Sequence, residues 1–537
     1  MKTWKLWLTI GIICCLLVST VAVVYINGRD TRAPLHLILN DDSSYGGSLS
    51  KELYGEGAPL NGEYDVTKSD YYTVNNDFYE MTSTEERVIF PHFSSYQQTM
   101  QDSSGLACLL MLLHYMGEDV KTTYSELALV KRYEEVNGTT VYGNGTTAAG
   151  LIALVNDLNL GYTAEDVGVV PESKNGTKTF LQNCIKEGKF VFVRYQSPVG
   201  YGWKIVIGYD TLGTVKNTRT EEYTDAFGDD VLIFAEPYDG FDHRQDGYVT
   251  ERAQDFQVWW RDMAVDGTVN EIYSYMVVDP HREITFDYQP VDETVKQKLY
   301  KLHLPLNPDG TYGGTRDYDK YGSITSGRGW WNHTESNYYK INDFYNMGSK
   351  GSRVMLKNYT ILQQTMHSSC GICAVGSILK YYGTEKDSYY DLEVSYLNEY
   401  EEVNRTQVKG KGSTVLSHTL ALANRGYTAT HNSTAKGTTP THTTYESYAA
   451  FMRSQLLEGR PVAVSTFLGS GHFIVVIGFD DMGTDYIYDD VIVTADPCDY
   501  WDGYQDGYNV FPATKFFRQH TNSKYNALQN YLVIDKK

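Results

Sequence analysis

The sequence predicts an α+β fold, helices packed on an antiparallel sheet, built twice in tandem after an N-terminal hydrophobic segment. Three observations carry that prediction. The chain repeats itself: Gln97-Gln98-Thr99-Met100 recurs 266 residues later as Gln363-Gln364-Thr365-Met366. Each copy then runs into a segment with apolar residues at helical spacing. Short apolar runs bounded by turn residues follow, as strands of an antiparallel sheet do.

Taken in chain order, the first element is residues 6–26, a stretch of 21 residues without a charge, preceded by Lys2 and Lys5. That length suffices to span a bilayer and exceeds the apolar core of most cleaved signal peptides. A signal-anchor is expected, with a cleaved signal peptide as the alternative, and the chain beyond it is expected to be extracellular or on the cell surface. At 537 residues the chain exceeds what one hydrophobic core usually serves. The repeat places the boundaries. Leu35-His36-Leu37 reappears as Leu302-His303-Leu304, and Tyr45-Gly46-Gly47 as Tyr312-Gly313-Gly314. Near the end of each copy, Tyr275-Met276-Val277-Val278-Asp279 matches Tyr531-Leu532-Val533-Ile534-Asp535. The expected division is 1–34 for the signal or anchor and linker, 35–300 for the first unit and 301–537 for the second.

Within the second unit, Ile372, Val375, Ile378 and Leu379 fall at helical spacing over 371–382, and Gly383 stands where a helix stops. In the first unit 106–116 behaves alike and ends at Gly117. A helix over 448–457 and strands at 461–466, 472–478 and 490–495 follow. The first unit repeats that order with a helix at 179–186 and strands at 190–193, 204–208 and 231–234.

The net charge of −21 argues against a nucleic-acid backbone or an anionic lipid surface as partner. Of the seven cysteines, Cys14 and Cys15 lie in the apolar segment, leaving Cys108, Cys184, Cys370, Cys373 and Cys498. An odd, sparse set is not a disulfide framework. An unpaired thiol in an exported chain calls for a reason.

The second copy supplies one. Cys370 opens the predicted helix, where the helix dipole and free N–H groups favour a thiolate. His472, after Gly471 and at the start of a strand, is the candidate base. Asp496, 24 residues on at the end of the next strand, is the candidate for fixing the imidazole tautomer. Gln364, six residues before Cys370, is placed to offer a side-chain N–H to a developing oxyanion. The first copy has Ser104 where the second has Cys370, Gly202 where it has His472 and Glu236 where it has Asp496. Thiol and imidazole are present together in one copy and absent together from the other.

Gln364 through Cys370-Gly371, then Gly471-His472, then Asp496-Pro497, resemble the papain-like cysteine peptidases, and within them the C39-like branch. The resemblance covers roughly residues 359–535 and, more faintly, 93–279. It implies a papain-like fold for both units, with the first degenerate. It further implies a Cys370–His472–Asp496 triad with Gln364 at the oxyanion, acting on a peptide or protein substrate without a cofactor. Ser369 stands where the family often has an acidic residue.

Other readings attach to the same residues. Cys370 and Cys373 form a C-x-x-C, as in thiol–disulfide oxidoreductases, but redox chemistry leaves Gln364 and His472 unexplained, and Cys373 is expected to be buried. A zinc site would need a second ligand pair, so no metal is expected. His367 competes as a partner for Cys370. Gln364 belongs to a pair kept in the first unit as Gln97-Gln98, which fits a structural role as well. Cys108 aligns with Ala374 and is expected in the core. Acidic turns at 239–246 and 499–506 are conceivable calcium loops without the full pattern such loops need. The first unit is expected to bind substrate or cover the second, through contact between the two units. An acyl transferase using the same nucleophile, and a peptide- or wall-binding protein on a peptidase frame, are the alternatives to hydrolysis.

Overall fold

The computed structural model describes residues from 87 to 286 and from 344 to 535, apart from short stretches inside each range. The apolar segment and the openings of both units, at 35–86 and 301–343, lie outside the described residues, as does His367. Among the described residues no helix is long and apolar enough to cross a membrane.

In the first range the order is β1 (Arg87–Ile89), α1 (Ser104–Tyr115), α2 (Glu126–Asn137), α3 (Ala148–Leu158), β2 (Thr163–Glu165), α4 (Lys174–Lys186), β3 (Phe190–Ser197) and β4 (Gly200–Asp210). It continues with β5 (Val215–Lys216), β6 (Tyr223–Thr224), β7 (Val231–Ala235), β8 (Tyr248–Arg252), β9 (Arg261–Met263), β10 (Val269–Ile272) and β11 (Tyr275–Asp279). The second range holds β12 (Val354–Met355), α5 (Cys370–Tyr381), α6 (Tyr389–Asn404), α7 (Val415–Asn424), β13 (Ala429–Asn432) and α8 (Tyr445–Leu457). After these come β14 (Val462–Leu468), β15 (Ser470–Asp480), β16 (Val491–Ala495), β17 (Tyr508–Pro512), α9 (Ala513–Thr521) and β18 (Asn530–Ile534).

Each range forms a seven-stranded sheet. The first runs β2-β11-β3-β4-β7-β8 with β1 beside β4, and the second runs β13-β18-β14-β15-β16-β17 with β12 beside β15. Position for position the two orders are the same. The ladders among the described strands are antiparallel, so the chain is a mixed helix and antiparallel-sheet, α+β protein. The helices expected before the central strands are α4 and α8, and the order needs an amendment only for short strands: β1 or β12 precedes the helices, and β2 or β13 lies before α4 or α8.

Local chemistry explains the elements. The side chains of Thr414 and Thr444 accept from the backbone N–H groups of Ser417 (3.2 Å) and Ser447 (3.3 Å), capping α7 and α8. Gly117 and Gly383, at φ +86° and +71°, follow α1 and α5 in the left-handed conformation that ends a helix. Every residue from 104 to 113 and from 370 to 379 is buried, so α1 and α5 are central helices, apolar on all sides. The middle strands β7 and β16 are buried along their whole length.

The edge pairing depends on glycine. A methyl group on Gly208 would stand 2.9 Å from Ile89, and one on Gly478 would collide with the Met355 sulfur. Both glycines sit at a register shift, opposite β7 and β16 respectively, so the bulge and the close approach occur together.

Candidate functional site

The second sheet and α5 together place the candidate residues. Cys370 is the first residue of α5, His472 lies on β15 opposite Thr466 of β14, and Asp496 follows β16. Relative exposure is 8% for Cys370, 6% for His472 and 1% for Asp496, so the three are nearly dry.

His472 Nε2 lies 2.7 Å from Asp496 Oδ1. That leaves Nδ1 for the sulfur, with which the ring shares a hydrogen bond. Asp496 is itself held: its backbone N–H donates to Gly507 O at 2.8 Å, and its Oδ1 also accepts from Cys498 N at 2.7 Å.

Burial alone would push the Cys370 thiol up. The hydrogen bond and charge of His472, with the backbone N–H groups of Phe473 and Gly371, outweigh it and hold the thiol below its ordinary range. Burial alone would pull His472 down. The charge and hydrogen bond of Asp496, then Cys370, outweigh that and hold the ring well above the usual histidine range. The two shifts have the same sense: the site favours a thiolate beside an imidazolium. Cys373, one turn along, is fully buried, and burial followed by the charge of Glu393 pushes its thiol well up, so only one of the two cysteines of the C-x-x-C is activated.

The loop before Cys370 is pinned from below. Ser369 does not cap α5 with its side chain. Its hydroxyl meets Met366 O at 2.9 Å and Glu393 Oε1 at 2.7 Å, and Met366 N donates to the same carboxylate oxygen at 3.1 Å. Glu393 of α6 is wholly buried.

Gln364 is buried and linked to the same group through its backbone, whose N–H donates to Pro497 O at 2.8 Å. Its side-chain nitrogen donates to Met366 O at 3.4 Å. In the first unit Gln98 does the same, with its backbone N–H on Pro237 O at 2.8 Å and its side chain on Met100 O at 3.0 Å. The Gln pair therefore ties the nucleophile loop to the acid loop wherever it occurs, whether or not a thiol is present.

At the matching place in the first unit, Ser104 Oγ accepts from Trp203 N at 3.2 Å. Gly202 contributes no side chain. Tyr195, opposite Gly202 on β3, lays its ring against that glycine, and its hydroxyl hydrogen-bonds Glu236. Burial and then Glu236 push the Tyr195 phenol well above its usual range, so it offers no base to Ser104. Cys108 is fully buried, as expected for a core position. Asp246, Asp499 and Asp506, from the acidic turns, are buried too, and among the described residues no cluster of metal-ligating side chains is present.

Two polar residues beside Gly371, the residue after Cys370, were passed over in the sequence. A methyl group on Gly371 would collide with Ser413 Oγ and stand 2.7 Å from His418 Nε2. The signal for them lay in the repeat: Gly410-Lys411-Gly412-Ser413-Thr414 matches Gly143-Asn144-Gly145-Thr146-Thr147.

No curated protein matches the chain. A solved structure from Bacillus anthracis, described as a candidate C39-like peptidase, is similar at 14% identity and TM-score 0.24, over 35% of this chain and 98% of that one. Residues 356–532, about a third of the chain, match the family described as Peptidase_C39 like, and that stretch contains Gln364, Cys370, His472 and Asp496.

Proposed function

We propose that the second unit is a cysteine peptidase whose reacting groups are Cys370, His472, Asp496 and Gln364. One observation carries this: the His472 ring stands between the Cys370 sulfur and the Asp496 carboxylate, 2.7 Å from the latter, in a nearly dry site. The Cys370 thiolate attacks the scissile carbonyl carbon, and the C=O electron pair moves onto oxygen. The oxyanion is held by the Cys370 backbone N–H and the Gln364 side-chain amide, which turns from Met366 O to reach it. His472, as imidazolium, gives its proton to the leaving amine, and a thioester to Cys370 remains. Water, deprotonated by His472, then attacks the thioester and releases the carboxylic acid and the thiolate. Asp496 keeps the ring oriented and its positive charge favourable throughout.

The first unit, with the same strand order but Ser104, Gly202 and Glu236 at the matching places, is on this proposal a degenerate copy that assists or covers the working one. The uncharged stretch at 6–26 supports export with the N-terminal segment as anchor or signal.

Digestion of a peptide library by the full chain and by Cys370→Ala, side by side, tests the function. New C-terminal carboxylates should form with the first and not with the second. Equal cleavage by both removes the proposal. Products joined to an added amine in place of water would show that the same nucleophile serves acyl transfer.

A further inference from the structure

His418 of α7 is fully buried, and it has no counterpart in the first unit, where Leu151 takes its place. Its Nδ1 lies 3.0 Å from the Tyr396 hydroxyl and its Nε2 lies 2.8 Å from Ser413 Oγ. Its ring also meets Phe473, the residue after the candidate base, with centroids 5.4 Å apart. A second imidazole difference thus accompanies the thiol and His472, and it touches both of their neighbours, Gly371 and Phe473.

The direction of the protons follows from the partners present. Tyr396 is buried, and His418 Nδ1 is the acceptor within reach of its hydroxyl. The phenol therefore donates to Nδ1, because the reverse arrangement would leave a buried O–H proton without an acceptor. Burial keeps His418 neutral at ordinary pH, so its single N–H is on Nε2 and donates to Ser413 Oγ. Ser413 Oγ thus accepts from the histidine, and its own O–H proton is left to donate to another group. Ser413 is half-buried and lies against Gly371, next to the nucleophile.

Building on the peptidase reading, we propose that Ser413 is a substrate-binding residue whose hydroxyl donates to a main-chain carbonyl of the peptide beside the scissile bond, with His418 and Tyr396 as its positioning residues. A main-chain carbonyl fits because the group offered is one neutral donor beside Gly371, with no charge to select a charged side chain. Gly371 is required by the same arrangement, since no side chain fits between α5 and Ser413.

The test uses the full chain and the fluorogenic peptide chosen from the library digestion. Wild type, Ser413→Ala, Ser413→Thr and His418→Leu are compared for kcat, KM and the rate at which iodoacetamide alkylates Cys370. Ser413→Ala is expected to raise KM about three- to tenfold, the worth of one neutral hydrogen bond, with kcat within about twofold. Ser413→Thr should restore the wild-type KM, as Thr146 at the matching place shows that the threonine shape fits. His418→Leu should behave as Ser413→Ala, and alkylation of Cys370 should be unchanged in all three. An unchanged KM in Ser413→Ala overturns the proposal, and so does a parallel loss of alkylation, which would make Ser413 a support of the nucleophile. Absence of any Cys370-dependent cleavage by wild type would overturn the peptidase reading and this inference with it, an outcome visible before any Ser413 variant is measured.

Discussion

Tyr195 hydrogen-bonds Glu236 in the first unit at the place where His472 binds Asp496 in the second. The two aromatic rings come from different strands. His472 rises from β15, whereas Tyr195 reaches from β3 across Gly202, and its position corresponds to Thr466 of β14. The carboxylate in the first unit has a partner although no imidazole is there, which avoids a buried charge without one. The phenol fills the space that an imidazole at position 202 would need.

On the proposed function, that substitution makes the silence of the first unit reversible in stages. In a Cys370→Ala background, Ser104→Cys alone should react slowly with iodoacetamide, because no imidazolium stands beside it to lower its pKa further. Adding Gly202→His with Tyr195→Thr should raise the rate at pH 6 on the order of tenfold or more, as a thiolate–imidazolium pair forms. Equal rates in the two variants would mean that the Tyr195 ring is not what closes this site.

Asp496→Asn should act through the ring and not through the fold. Removing the carboxylate charge takes away what holds the His472 ring well above its usual range, so the imidazolium weakens. The Cys370 thiol, kept low by that imidazolium, then rises. The pH profile of iodoacetamide alkylation should move to higher pH, and peptide turnover should fall about 10²- to 10⁴-fold. A turnover loss with an unmoved alkylation profile would contradict the coupling of the three residues.

Glu393 is a structural counterpart of the site. It binds Ser369 Oγ and Met366 N, and its partner in the first unit, Glu126, binds Ser103 Oγ at 2.6 Å and Tyr96 OH at 2.8 Å. Glu393→Ala leaves a cavity and an unmatched N–H beneath Cys370, and is expected to cost about 2–4 kcal/mol of stability in urea unfolding. Loss of less than about 0.5 kcal/mol would show that water replaces the carboxylate.

Much of the site was legible because its chemistry sits on strongly patterned elements. The helix expected at 371–382 is α5, Cys370–Tyr381, and the strands expected at 472–478 and 490–495 are β15 and β16, the first longer by two residues at each end and the second shorter by one. Apolar side chains on buried elements leave a clear pattern. Tyr389–Asn404, by contrast, carries Asp, Glu and Tyr on most turns and was not foreseen as a helix, although Leu392, Tyr396 and Tyr400 bury one face. Strands β8 and β17 were also missed, because each follows an acidic, glycine-containing turn and mixes polar with apolar residues while being buried throughout. His418 escaped for a different reason: its role depends on Tyr396 and Ser413, which only the packing of α6 on α7 brings to it.

That buried histidine also shapes the response to acid. Burial holds His418 at about 3, and burial, partly offset by Asn530, holds His520 at about 4, whereas an unfolded chain titrates its histidines near 6.5. Below that pH the unfolded state binds protons that the folded state refuses, so stability falls with pH by about 1.4 kcal/mol per pH unit for each ring. Both contribute from about pH 6.5 down to about 4, His418 alone continues to about 3, and below that its contribution no longer changes. His418→Leu, with the residue the first unit has there, should flatten this slope by about 1.4 kcal/mol per pH unit between pH 6 and 5, read from urea unfolding against wild type. Carboxylates and the remaining histidines titrate alike in both proteins and cancel in the difference. Parallel slopes would mean that the folded chain takes up the proton at His418 after all, breaking the donor order that leaves the Ser413 proton for a ligand.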